Sequence, residues 1–180
     1  NRYSAGTGES GTIIVLKNLK DSFDKKQIKK LKNFLSTRYH DVFKKKEIKI
    51  ILNGEEIEYK DICGSTIEYG LDKKEFVYVD KEGKQYPFKL STYLHEKGNQ
   101  PNGVCWKRNG RLICEKAKLG FPMISQSSMT SFQIVLESDN CLDDLLKMAP
   151  TKILDKEQVI DRNFKLFLLN ETGLDSIIHK

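Results

Sequence analysis

Trp106-Lys107-Arg108-Asn109-Gly110-Arg111-Leu112-Ile113 reads as two strands folded back on a two-residue turn. Asn-Gly is the preferred pair for a type I′ hairpin, because both central residues need positive φ. The spacing predicts strands over 104–107 and 112–115, with Arg108 opposite Arg111. Counting back along an uninterrupted ladder places Cys105 opposite Cys114, close enough to touch. The reading is of two buried thiols packing as small apolar groups, with a bond between them as the alternative.

Working outward, the same turn signal recurs at Asn53-Gly54. It joins a β-branched run, Ile48 to Leu52, to a return strand from Glu56 to Tyr59. Before it, Asp24 and Gln27 form a capping-box pattern. Ile28, Leu31, Phe34 and Leu35 then fall at helical spacing, so a helix is expected to end near Tyr39-His40 with these four on its buried face. The opposite face carries Lys25, Lys26, Lys29, Lys30 and Lys32. Thr12 to Leu16 is expected to be a short buried strand. Phe76 to Val79 and Tyr86 to Leu94 are further strands, the second at a sheet edge because of Pro87. Ser131 to Glu137 alternates Phe132, Ile134 and Leu136 with polar residues, the pattern of a half-buried strand. Asp139-Asn140 opens a short helix ended by Pro150, and Asp155 opens a last one. Asp143-Asp144 serves the helix dipole. Residues 61–73 show no periodicity, and the end after Gly173 is expected to fray. The expected class is α+β: a mixed sheet with helices on one face.

The chain has 180 residues, of which 38% are hydrophobic and 9% aromatic, which is too apolar for a disordered polymer. Mean hydropathy is −0.52, and no run approaches the ~18 apolar residues of a membrane span. No membrane partner is expected. Asn1 to Gly6 contains no signal sequence and no initiator Met, so the chain is expected to be part of a longer intracellular protein. Gly6, Gly8 and Gly11 spell G-x-G-x-x-G, but no strand precedes them and the next element is a strand, which excludes a dinucleotide fingerprint. The four cysteines and three histidines lack metal-ligand spacing, so no metal is expected. There is no G-x-S-x-G, H-E-x-x-H or P-loop, and the chain alone does not read as an enzyme. A site assembled from residues 61–100 remains a minor alternative.

Charge is uneven. Between Lys17 and Lys49 stand twelve basic residues against four acids, more net positive charge than the +6 of the whole chain. Such a surface attracts phosphate backbones without reading sequence. The candidate contacts are Lys25, Lys26, Lys29, Lys30, Lys32, Lys44, Lys45 and Lys46. A solvated lysine face is the plain alternative. The tract reads as lacking the interleaved aromatics that stack on bases.

Gly11-Thr12-Ile13-Ile14, Lys107 to Ile113 and Lys147-Met148-Ala149-Pro150-Thr151-Lys152 together resemble the transducer domain of GHKL ATPases. That superfamily includes gyrase B, MutL, the ninety-kilodalton heat-shock chaperone and the MORC ATPases, and the resemblance is to MORC-like and related bacterial members. It spans about residues 11–170. It implies a ribosomal S-five domain 2-like sandwich over 12–170, with 1–11 a linker from an upstream ATP-binding domain and 171–180 a tail. It also implies that ATP and Mg²⁺ are held by that upstream domain and not by this chain, and that the protein forms a homodimer. In the family a transducer-loop lysine reaches the γ-phosphate, and Lys152 is the matching position. The family often has Asn or Gln before that lysine, where this chain has Thr151. The resemblance implies coupling of ATP binding and hydrolysis to conformational change, with DNA a candidate partner. The alternative is a stand-alone basic module that binds nucleic acid without nucleotide.

Overall fold

The computed structural model describes residues 14–15, 17, 23–39, 41, 44, 49–68, 70–95, 103–117, 132–139, 142, 144–145 and 160–178. Both Asn-Gly pairs are hairpin turns with positive φ at each central residue: 52° and 84° at Asn53-Gly54, 49° and 72° at Asn109-Gly110. The first joins β1 (Ile51–Leu52) to β2 (Glu55–Glu56), and the Ile57 N–H donates to the Ile50 carbonyl at 2.8 Å. The preceding helix, α1, runs Lys25–Arg38.

The second turn joins β6 (Gly103–Arg108) to β7 (Arg111–Ala117), and Arg108 lies opposite Arg111 as counted. The expected pairing of Cys105 with Cys114 does not form. Lys107 faces Leu112, but Trp106 faces Cys114, so Ile113 is an extra residue in the ladder, and a second irregularity follows toward Val104. A bulge inserts one residue and breaks the period of two on which the count depends. Ile113 and Cys114 therefore both join the main core beside Trp106. Cys105 packs on the other face with Ile62, Leu112 and Val135. Both thiols are buried, and neither forms a disulfide.

The remaining strands are β3 (Ser65–Thr66), β4 (Lys74–Val79), β5 (Gln85–Leu94) and β8 (Phe132–Ser138). They form one sheet with β6 and β7, in the order β3-β5-β8-β6-β7, and β4 also pairs with β5. β8 runs antiparallel to β5 and parallel to β6, so the sheet is mixed. β8 is not half-buried. Phe132 through Val135 are buried in succession, because both faces of the sheet are covered. Pro87 obeys its rule locally. β5 is central over residues 89–94, where β8 pairs with it, but among the described residues 85–88 pair only with β4.

Two C-terminal helices, α2 (Arg162–Asn170) and α3 (Leu174–Ile178), cover the Trp106 face. Phe164 meets Tyr78 and Phe88 with ring centroids at 5.2 and 5.4 Å. The expected helix start at Asp155 lies outside the described residues. Ile160 is buried but not helical, and Asp161 is the cap, accepting from the N–H groups of Asn163 and Phe164. The expected frayed end is instead α3, with Leu174 wholly buried. Ile14 and Val15, expected inside a buried strand, are exposed and not in a strand. Of the expected helix after Asp139, Leu142 and Leu145 are buried in the core, and most of the rest lies outside the described residues. The architecture is α+β, as expected. No helix among the described residues is long and apolar enough to cross a membrane.

Candidate functional site

The lysine face begins with its cap. The Gln27 N–H donates to Asp24 Oδ1 at 2.7 Å and the Asp24 N–H donates back to Gln27 Oε1 at 3.0 Å. This reciprocal capping box satisfies two helix-end donors and fixes where α1 starts. Lys25, Lys26, Lys29 and Lys30 then stand at i, i+1, i+4 and i+5, which places them on one side. All four are exposed, and none has an ion-pair partner among the described residues. Lys32 is half-buried and pairs with Glu55 of β2. Lys44 is exposed beyond the helix. Lys45, Lys46 and Lys152 lie outside the described residues.

α1 is docked mainly by polar contacts. Arg38 Nη1 donates to the Leu112 carbonyl at 2.8 Å and to that of Ile113, at the bulge in β7. Among the described residues β7 is the last strand of the sheet, and the guanidinium covers carbonyls on its outer side. The Ser36 hydroxyl donates to the Glu58 carbonyl at 2.8 Å. Lys107, which is buried, reaches Asp41 at 3.3 Å. Arg111 lies over the Tyr39 ring, 5.6 Å from its centroid. Ile28, Leu31 and Leu35 supply a half-buried apolar stripe.

Phe34 does not join that stripe. It is 46% exposed, and Arg38 stacks on its ring at 5.2 Å. Phe23, just before the cap, is 50% exposed. The basic face therefore does carry aromatics, against the sequence reading. The spacing left this open: Ile28, Leu31 and Leu35 complete an i, i+3, i+7 stripe, and Phe34 stands next to it.

The structure also gathers polar residues that sequence reading left scattered. On the Cys105 face, the Tyr93 hydroxyl bonds to the Cys63 thiol, with Ser91, Lys107, Asp41 and Asp61 nearby. Burial pushes the Tyr93 phenol up to about 12; Ser91 opposes this, and Cys63 and Asp72 reinforce it. Burial also raises the Cys63 thiol, against the pull of Lys107. Burial and a hydrogen bond to Asp61 raise Tyr59. A thiol held protonated is a poor nucleophile, so Cys63 is not activated for attack in this arrangement. Where β5 runs past the end of β8, an open groove of about 490 Å³ is lined by Glu75, Val77, Pro87, Lys89, Glu137 and Asp139. Glu75 pairs with Lys89 at 2.9 Å. Carboxylates outnumber the one lysine there, the opposite charge balance from the exposed face of α1. No family model matches the chain, and no curated protein matches it.

Proposed function

We propose that this chain is the transducer domain of a GHKL-type ATPase, with a ribosomal S-five domain 2-like fold. It would convert ATP binding and hydrolysis in an upstream domain into movement of this domain and closure of a homodimer. The observation that carries the reading is the order of elements. A capped helix leads into an Asn-Gly hairpin, a meander follows, and an Arg-Asn-Gly-Arg hairpin joins it in one mixed sheet. Of the stretches in which the sequence resembles the family, Lys107 to Ile113 forms this second hairpin, while Gly11 to Ile13 and Lys147 to Lys152 lie outside the described residues. Lys152 is the proposed γ-phosphate sensor, because a compact ammonium suits a terminal phosphate whose charge grows in the transition state. ATP and Mg²⁺ belong to the upstream domain in this reading. The lysine face of α1 is the proposed surface for non-specific contact with DNA.

A second reading, a basic nucleic-acid-binding module without nucleotide dependence, draws on one observation: four exposed lysines on one side of α1. Two experiments separate them. The coding sequence upstream of Asn1 is expected to encode a Gly-rich nucleotide-binding fold with a Mg²⁺-binding Asn, and an ATP titration of the 180-residue chain alone is expected to show no binding. An upstream region without such a fold supports the basic module. Micromolar ATP binding by the chain alone contradicts the division of labour proposed for the two domains.

A further inference from the structure

The geometry points to single-stranded nucleic acid as the ligand of α1, with Phe34 as the platform on which a base stacks. The inference rests on the reading that the α1 lysines meet phosphates, and it names the form of the nucleic acid. Lysine contacts alone do not distinguish duplex from single strand, since both present a phosphate backbone. An exposed aromatic ring does. In a duplex the base faces are hidden in the stack, whereas a single strand offers them to any flat partner.

Three observations place Phe34 in that role. It follows Lys30 by four residues and Lys26 by eight, so the ring and both cations share one stripe of the helix, about 6 and 12 Å apart along the axis. Nearly half of its surface is open, although it lies beside an apolar stripe that could have buried it. Its orientation is supported by a neighbouring side chain. Arg38 stacks on the ring and is itself anchored to the Leu112 and Ile113 carbonyls of β7. A ring fixed in advance has less freedom to lose on binding. Phe23, at the other end of the lysine run, offers a second exposed ring. Lysines that grip the backbone beside an exposed ring match the general design of sequence-tolerant single-strand binding.

The test uses the 180-residue chain, a labelled oligothymidylate of about ten nucleotides and a duplex of the same length. Fluorescence anisotropy is read at several salt concentrations. The wild type is expected to prefer the single strand, with log K falling against log salt at a slope near −3 for about four phosphate contacts. Phe34→Ala is expected to lose about tenfold in affinity for the oligothymidylate and to leave duplex binding unchanged, and Phe34→Trp is expected to retain the single-strand affinity. Lys29→Glu with Lys30→Glu is expected to weaken both. Because Phe34 is exposed, far-ultraviolet circular dichroism should show the fold intact in every variant. Equal affinity for both ligands, unmoved by Phe34→Ala, overturns the stacking role and leaves the phosphate contacts standing. Absence of binding to either nucleic acid, or binding instead to anionic lipid vesicles, overturns the nucleic-acid reading and this inference with it.

Discussion

Gln133 holds a primary amide in the middle of the sheet with no exposure to solvent. Its Oε1 pairs with His95 Nε2 at 2.8 Å, and its Nε2 donates to the Ile62 carbonyl at 3.1 Å and toward Cys105 Sγ at 3.2 Å. A buried polar side chain is tolerated only when bonded in this way. Gln133→Leu removes the donor to Ile62 and the acceptor of His95, so a loss of about 1–3 kcal/mol is expected in urea unfolding. Stability equal to wild type would mean that water replaces both contacts. The alternation that marked Phe132, Ile134 and Leu136 as a buried face read Gln133 as exposed, because a sequence pattern shows polarity but not the partners that satisfy it. Tyr93, beside Gln133 on the next strand, gives a prediction in pH. Its folded phenol is raised, chiefly by burial, to about 12. The unfolded chain ionises near 10. The folded state binds the proton more tightly, so this contribution is complete below pH ~10 and is lost as pH rises toward 12. Alkaline unfolding curves should show that loss, and Tyr93→Phe should make it shallower over the same interval, with the other raised phenols supplying the remainder. A wild-type curve flat across that interval contradicts the raised phenol.

At the scale of the elements, cap and turn signals held, whereas the strand signal at Thr12 to Leu16 and the cysteine pairing across the second hairpin did not. The capping box, the α1 terminus near Tyr39 and both type I′ turns lie where the residues indicated, because each depends on groups only a few positions apart. At Gly110 the requirement is conformational: with φ at 72°, Gly110→Ala is expected to cost about 1–2 kcal/mol in a denaturant melt. The Cys105–Cys114 pairing failed because a bulge depends on the neighbouring strands and leaves no mark in the hairpin's own sequence. That bulge now has a partner in Arg38, which ties α1 to the edge of the sheet. Arg38→Ala is expected to speed hydrogen exchange across α1 by tenfold or more and to leave β5 and β8 protected. Uniform acceleration in every strand would instead make Arg38 part of the global core.

For the whole molecule, the α+β class was legible because helical and strand periodicities alternate clearly along the chain. The strand order was not. β8 sits between β5 and β6 through contacts far apart in sequence, and its parallel pairing with β6 has no short-range signature. The lysines of the candidate surface were legible individually, since charge on the polar face of a helix is a local property. The exposure of Phe34 was not legible because helical spacing places it next to the Ile28, Leu31 and Leu35 stripe, and only the packing of α1 on the sheet decides how wide the buried stripe is. The functional claim is also one of the whole molecule, since a transducer acts only when joined to its nucleotide domain. The most direct test is ATP turnover by the protein that carries both domains, wild type against Lys152→Ala. The transducer account predicts a loss of about 10²-fold or more with nucleotide binding retained, as expected when a cation that stabilises transition-state charge is removed. Unchanged turnover would contradict the assignment of Lys152, and no turnover in either protein would contradict the transducer reading itself.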